Sequence, residues 1–226
     1  MEFLGSVAAW FADPAHWSGD DGIPTRVWEH VQLAGLSVAV AAAVALPVGL
    51  FLGHTGRGAF AAINVANLGR ALPSLALLAI ALPVSFALGL GLGFWPTFLA
   101  LVPLALPPIL TNTFVAVRGV DRDTIEAARG MGLRESQILR QVELPLALPL
   151  ILGGVRTAAV NVVATATLGA LVAGGALGRY IVDGLALQEY DRLFAGAILV
   201  ALLAIATEAT FGILAGRARY SGSAAE

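Results

Sequence analysis

The stretch VQLAGLSVAVAAAVALPVGLFLG, residues 31–53, carries no acidic or basic side chain and decides the class of fold. A crossing of a bilayer core about 30 Å thick takes about 20 apolar helical residues, because each backbone N–H and C=O must be bonded within its own segment. The stretch is therefore long enough to cross with some tilt. The whole chain agrees with this class, since 58% of its 226 residues are hydrophobic and only 12% are charged.

Charge-free runs elsewhere in the chain predict four further spans. No charge occurs between Arg70 and Arg118, and the Gly, Trp and Pro residues of GLGLGFWP (89–96) divide this long run into two spans. After a polar loop, two more runs each contain one charge, Arg156 in the first and Glu208 in the second. The predicted fold is an all-α membrane protein with five transmembrane helices, near 31–53, 71–89, 96–117, 146–172 and 193–216.

Arginine is unevenly distributed between the two sides that five spans define. One side has Arg57, Arg118, Arg122, Arg129, Arg134, Arg140, Arg217 and Arg219, whereas the other has Arg26, Arg179 and Arg192. The excess of positive charge predicts that the first side is cytoplasmic. Residues 1–27 are then an extracytoplasmic segment without the basic start of a signal peptide. Residues 28–217 form the membrane domain, and 218–226 are a cytoplasmic tail.

Composition excludes several chemistries. The chain has no cysteine, which removes disulfides, thiolate metal sites and cysteine nucleophiles. It also has no lysine, which a phosphate-binding loop requires, so energy from ATP must come from another chain. Neither paired carboxylates nor histidines at metal-binding spacing support an intramembrane enzyme, because the three histidines are scattered near span ends. We expect no cofactor, no metal and no nucleic-acid partner.

The polar loop between the third and fourth spans, residues 118–145, has the pattern of two short helices. DRDTIEAARGMG (121–132) begins with acidic residues, which suit a helix N-terminus, and ends at Gly132, which suits a helix C-terminus. The apolar residues of LRESQILRQVE (133–143) fall roughly on one face: Leu133, Ile138, Leu139 and Val142. The pattern predicts a compact knob hinged at Gly132, ahead of a span that begins at Pro145. A plain solvated loop is the alternative.

The spacing within this loop resembles the signature loop of ATP-binding-cassette (ABC) importer permeases. The matching residues are Glu126, Ala127, Ala128, Gly132, Val142, Leu144 and Pro145. Val142 stands where the family usually has Ile, and the aliphatic character is kept. The resemblance implies that the loop docks in a groove of a cytoplasmic ATPase subunit and couples ATP binding to movement of the membrane helices. A short helix pressed into a groove is a common mode of recognition.

Three further stretches are similar to the same family: NLGRALPSLALL (67–78), LPPIL (106–110) and GGALGRYI (174–181). The loop and the span after it look most like permeases of osmoprotectant importers, which carry glycine betaine, choline, carnitine or proline betaine. Methionine importer permeases share the five-span type I plan, so a methionine or amino-acid importer is the alternative. A secondary carrier, which works without ATP, is a rival of another class and has no use for a docking loop.

The resemblance also implies partners and a location. The chain is expected in a prokaryotic cytoplasmic membrane as a multi-pass protein, with its N-terminus outside and its C-terminus in the cytoplasm. Its expected partners are the lipid bilayer, cytoplasmic ABC ATPase subunits that bind the ATP, a second permease chain, like or unlike, and an extracytoplasmic solute-binding protein.

Two charged residues inside the predicted spans lie at matching depth. At about 1.5 Å per residue, Arg156 and Glu208 both lie about 14 to 15 Å from the inner edge of the bilayer. Equal depth allows an ion pair, within one chain or across a dimer. We expect this pair to fix the packing of the last two spans, and the alternative is that one member lines the solute path.

Four other residues are candidates for a gate or for the pathway. Pro73 cannot continue a helical hydrogen-bond ladder, so the second span is expected to bend there and narrow the path. Arg70 either extends to the interface or contributes to this gate. Asn112 and Asn161 either line a cavity or bond a neighbouring helix. The tryptophans near the outer face are expected to be interfacial anchors rather than a cage for a quaternary ammonium: Trp10, Trp17 and Trp28.

Overall fold

A computed structural model describes residues 2–58 and 71–223 together with Phe60, Asn64 and Gly69. For Glu2 and for residues 217–223 only the backbone is described. All regular structure in these ranges is helical, which confirms the predicted all-α class. The α-helices are α1 Glu2–Ala12, α2 Ile23–Thr55, α3 Ser74–Ala87, α4 Phe94–Arg118, α5 Arg122–Gly130, α6 Glu135–Ile138, α7 Leu144–Thr165, α8 Gly178–Leu187 and α9 Tyr190–Ser223.

Within the described residues, four helical stretches are long and apolar enough to cross a membrane: Ile23–Thr55, Phe94–Arg118, Glu135–Val172 and Tyr190–Gly216. The helix at the predicted second span, α3, has only 14 residues. At about 1.5 Å per residue it is about 21 Å long, short of a bilayer core of about 30 Å. It starts after Pro73, which is its N-cap residue with an extended ψ of 132°. Because proline has no N–H to donate, Pro73 cannot continue an earlier helical hydrogen-bond ladder. The count of five crossings stays a prediction.

Several helix ends differ from the predicted span ends. Helix α2 begins at Ile23, with a proline in its first turn, whereas the predicted span begins at residue 31. Helix α7 ends at Thr165 and continues as a tighter 3₁₀ helix, Ala166–Val172, where the prediction had one span to residue 172. Absence of charge marks the part of a helix that suits the bilayer, whereas backbone hydrogen bonding sets where the helix ends. The two limits therefore need not coincide.

Helix α4 is the centre of the bundle and packs against α2, α3 and α7. Small residues bring these helices close together. A methyl group added at Gly49 of α2 would lie 2.7 Å from the Cβ of Thr113, and one added at Gly154 of α7 would lie 2.5 Å from the Cβ of Asn112. Close backbone approach at small residues is how membrane helices gain packing energy, because lipid provides no hydrophobic force between them.

The bundle has two distinct ends. The loop end, defined by His54, Arg118 and Glu143, carries α5 and α6. The far end carries α1 and α8, where Trp10 is buried, stacks on His16 at 4.0 Å and meets Tyr180 edge-on at 5.4 Å. Trp10 is therefore part of a small core and not the interfacial anchor that was predicted. No local pattern indicates this, because α1 brings the Trp10 ring against Tyr180, about 170 positions later.

Candidate functional site

A cavity of about 490 Å³ opens between α4 and α7. Its polar lining consists of hydroxyl and amide side chains from both helices and from the start of α3: Ser74, Thr111, Asn112, Thr157, Asn161 and Thr165. The described lining residues include neither a charged nor an aromatic side chain. A cavity of this kind offers hydrogen bonds to a polar solute without a fixed charge to trap it.

Part of this polar lining is already bonded to its own helix. The amide of Asn112 donates to the carbonyl of Pro108 at 2.8 Å, and the hydroxyl of Thr157 donates to the carbonyl of Gly153 at 3.0 Å. These bonds satisfy donors that would otherwise be costly at membrane depth. The remaining acceptor oxygens are available to the cavity. The lining is therefore polar, and two of its donors are satisfied within their own helices.

The predicted pathway residues are partly brought together. Asn112 and Asn161 lie 49 positions apart in the sequence and line the same cavity. Pro73 lies between Leu72 and Ser74, which also line it, so the interruption before α3 is at the cavity wall. Arg70 lies outside the described residues, and its assignment to a gate stays a prediction.

The two charges inside the predicted spans lie next to each other. Nη1 of Arg156 on α7 is 3.4 Å from Oε1 of Glu208 on α9. Their side chains are 40% and 51% exposed, so the single chain leaves the pair half uncovered. The geometry allows the predicted ion pair, while its role in packing stays a prediction.

The first half of the loop forms the exposed helix α5. The carboxylate of Asp121 accepts a hydrogen bond from the amide of Thr124 and caps its start. The helix ends in a turn where Gly132 has φ of +86°, a left-handed conformation that favours glycine. Among the signature residues of α5, Ala128 is buried, whereas Glu126 and Ala127 are exposed. The loop therefore presents one face of a short helix outward.

The second half of the loop differs from the prediction. The short helix α6 does not stop before the next span, because a π turn, Leu139–Glu143, joins it directly to α7. Pro145 was expected to begin a separate helix, but it lies in the first turn of α7, where its missing N–H is tolerated. Val142 and Leu144 are partly buried and Pro145 is exposed. The knob is thus rigidly continuous with the fourth predicted span.

Sequence reasoning missed a polar cluster at the loop end. In the sequence, His54 is one of three scattered histidines. In the structure, Nδ1 of His54 is 2.5 Å from Oε2 of Glu143. The side chain of Glu143 is only 4% exposed. On the exposed side of the cluster, Arg129 donates two hydrogen bonds to Glu135, at 2.8 and 3.1 Å, and this carboxylate raises the pKa of the Arg129 guanidinium above its ordinary value. No local pattern connects His54 and Glu143, which are 89 positions apart.

A helical membrane bundle with an uncharged polar cavity and a helical knob at one end is a transport subunit in its architecture. Residues 45–220 match the family of binding-protein-dependent transport system inner membrane components, and the chain belongs to that family. The expected membership of the ABC importer permeases is confirmed. The chain is accordingly a transport component of a multi-pass membrane protein complex and not the catalyst of ATP hydrolysis.

Known permeases are similar over most of their length. The chain is 36% identical over 211 residues to the carnitine transport permease protein OpuCB of Listeria monocytogenes, covering 93% of this chain and 92% of that protein. It is 37% identical over 180 residues to the choline transport system permease protein OpuBB of Bacillus subtilis (strain 168), covering 80% and 81%.

The fold is similar to that of a solved importer. An inward-facing structure of the MetNI methionine ABC transporter matches with a TM-score of 0.74 at 24% identity, covering 84% of this chain and 93% of that one. At this identity the likeness shows the fold, which is that of the type I importer permeases, and does not extend to the solute.

Proposed function

We propose that this protein is the membrane permease of an ABC importer for a quaternary-amine osmoprotectant such as carnitine, choline, glycine betaine or proline betaine. The observation that carries this proposal is the 36–37% identity to permeases named for carnitine and choline over 80–93% of the chain. A methionine or amino-acid importer shares the fold and is the outcome against which the proposal is tested.

The knob of α5 and α6 is the proposed contact with the ATPase subunit. Its exposed residues include Glu126 and Ala127 of the loop signature, and Gly132 at the turn after α5 has a positive φ. Because α6 runs through the π turn into α7, a push on the knob reaches the wall of the cavity along one helical path. ATP binding by the partner would then favour one access state of the cavity over the other.

The cavity between α4 and α7 is the proposed solute pathway. The lining residues that the structure describes lack the aromatic faces that hold a quaternary ammonium tightly, so the cavity suits passage better than capture. High-affinity capture is assigned to a separate solute-binding protein outside the cell. A second permease chain completes the pathway, and five crossings place the N-terminus outside and the knob in the cytoplasm.

Gly132 gives a direct test of the knob with a matched control. A methyl group added at either Gly132 or Gly130 touches no other group within 4 Å, but only Gly132 has a positive φ. We expect Gly132→Ala to cost about 1 kcal/mol of loop stability and to reduce copurification with the ATPase, whereas Gly130→Ala leaves it unchanged. Equal association of the two variants would contradict a docking role for this turn.

Uptake tests the solute. Permease, ATPase and binding protein reconstituted in liposomes are given radiolabelled carnitine, choline, glycine betaine, proline betaine or methionine. The proposal expects ATP-dependent uptake of at least one quaternary amine and none of methionine. Uptake of methionine alone would assign the chain to the other importer class, and uptake without ATP would contradict the proposed coupling to the ATPase.

A further inference from the structure

His54 lies where three elements of the loop end meet. It is in the last turn of α2, and its side chain is 15% exposed. Its Nδ1 is 2.5 Å from Oε2 of Glu143, the last residue of the π turn, and its Nε2 is 3.4 Å from Oε2 of Glu135, the first residue of α6. Both ring nitrogens therefore face a carboxylate oxygen.

The same contacts continue to the knob helix. The carboxylate of Glu135 accepts hydrogen bonds from Nε and Nη2 of Arg129, which lies near the end of α5. A continuous series of contacts, Arg129 to Glu135 to His54 to Glu143, thus joins α5 and α6 to the end of α2 and to the start of α7. Glu143 directly precedes Leu144 and Pro145, so the series ends within the loop signature.

We propose that His54 is a positioning residue that holds the knob in one orientation against α2, and that this hold depends on protonation of its imidazole ring. The inference rests on the proposed role of the knob in coupling. The sequence pattern assigned no role to His54 or to Glu143. Their contact connects the knob to α2, a helix that the signature loop does not include.

The stereochemistry of the ring gives the protonation dependence. A neutral imidazole has one N–H and one lone pair, so it donates to one carboxylate and directs its lone pair at the other. The doubly protonated ring donates to both. The remaining charged groups around the adjacent cavity of about 200 Å³ are Arg118 at the end of α4 and Arg122, Glu126 and Arg129 on α5. The two carboxylates of Glu135 and Glu143 are the groups in direct contact with the ring.

Spin-label distances in the purified full-length permease test the proposal without an ATPase or a solute. The chain has no cysteine, so Phe51→Cys on α2 and Thr124→Cys on α5, both at exposed positions, are the only labelling sites. We compare the distance distributions at pH 6 and pH 8 and expect that of the parent to be about twofold wider at pH 8.

Three variants separate the ring chemistry from general loosening. His54→Gln is expected to give the wide distribution at both pH values, because it cannot donate to two carboxylates through one planar ring. Glu135→Gln is expected to give the narrow distribution at both, because the new amide donates to the ring lone pair and satisfies the neutral form. His16→Gln, at the far end of the bundle, is the matched control and should behave like the parent.

A distribution that is equally narrow at both pH values in the parent, or a His54→Gln variant that keeps the parent's response, overturns the proposal. A Glu135→Gln variant that keeps the full response overturns the two-carboxylate mechanism. These results are independent of the proposed function, whose failure shows instead as a parent permease that neither binds the ATPase nor transports a quaternary amine.

Discussion

The molecule has two interhelical charged pairs, and the exposure of their side chains is the reverse of what their positions in the bundle suggest. The pair of His54 and Glu143 lies at the loop end, next to the exposed helix α5, yet its side chains are only 15% and 4% exposed. The pair of Arg156 and Glu208 lies within predicted spans, yet its side chains are 40% and 51% exposed. A charge at membrane depth is expensive unless protein or water covers it.

This contrast indicates which of the two charged pairs is covered by groups of the same chain. At the loop end one chain supplies every group that covers the buried pair, so the knob is held by its own bundle. At the second pair the chain leaves both charged side chains about half exposed. We therefore expect the uncovered surface of this pair to face a second permease chain or the aqueous pathway rather than lipid.

The largest effect is expected at the buried pair. His54→Leu leaves the carboxylate of Glu143 buried without a partner, which should lower the free energy of unfolding by roughly 3 kcal/mol. Thermal and denaturant unfolding of the purified permease in detergent measure this loss.

The double variant His54→Leu/Glu143→Leu serves as the control, because two apolar groups replace the pair without leaving a bare charge. It should recover most of the lost stability. If the double variant is as unstable as the single one, the cost comes from packing and the contrast between the two pairs disappears.

A smaller effect is expected at the half-exposed pair. Glu208→Gln should lower the free energy of unfolding by less than about 1 kcal/mol, because exposed pairs and interhelical hydrogen bonds in membranes each contribute little. Each single charge reversal, Arg156→Glu or Glu208→Arg, places like charges together. We expect each of these variants to lose transport.

Restoring opposite charges tests the pair itself. The exchanged variant Arg156→Glu/Glu208→Arg should recover the transport that each single reversal loses, as measured by ATP-dependent uptake in liposomes. A double variant as inactive as either single one would mean that the two residues act separately.

The smallest perturbation is a labelling experiment on the uncovered surface. In a chain without cysteine, Thr157→Cys beside Arg156 should react with a water-soluble thiol reagent about tenfold faster than Leu202→Cys, because a thiolate does not form in lipid. Leu202 is the matched control, since it lies on the exposed face of α9. Equal, slow labelling at both positions would place the cavity lining next to Arg156 against lipid and weaken the contrast.

Much of the fold followed from the sequence because its signals are local. Four of the predicted spans coincide with helices long enough to cross a membrane, since the cost of burying charge acts residue by residue. The turn at Gly132 followed for the same reason, because a left-handed residue after a helix is a local requirement. The short α3 and the π turn did not follow, because apolar composition does not report which hydrogen bonds a backbone makes at a proline.

The sequence by itself determined that this protein is a helical membrane permease and where four of its long apolar helices run. Only the tertiary structure decided which polar groups meet. It placed Asn112 beside Asn161 in one cavity, His54 against Glu143 at the loop end and Trp10 inside a core. The physical reason is that periodicity fixes the face of each helix, whereas contact between faces depends on how distant helices pack, and no single segment carries that information.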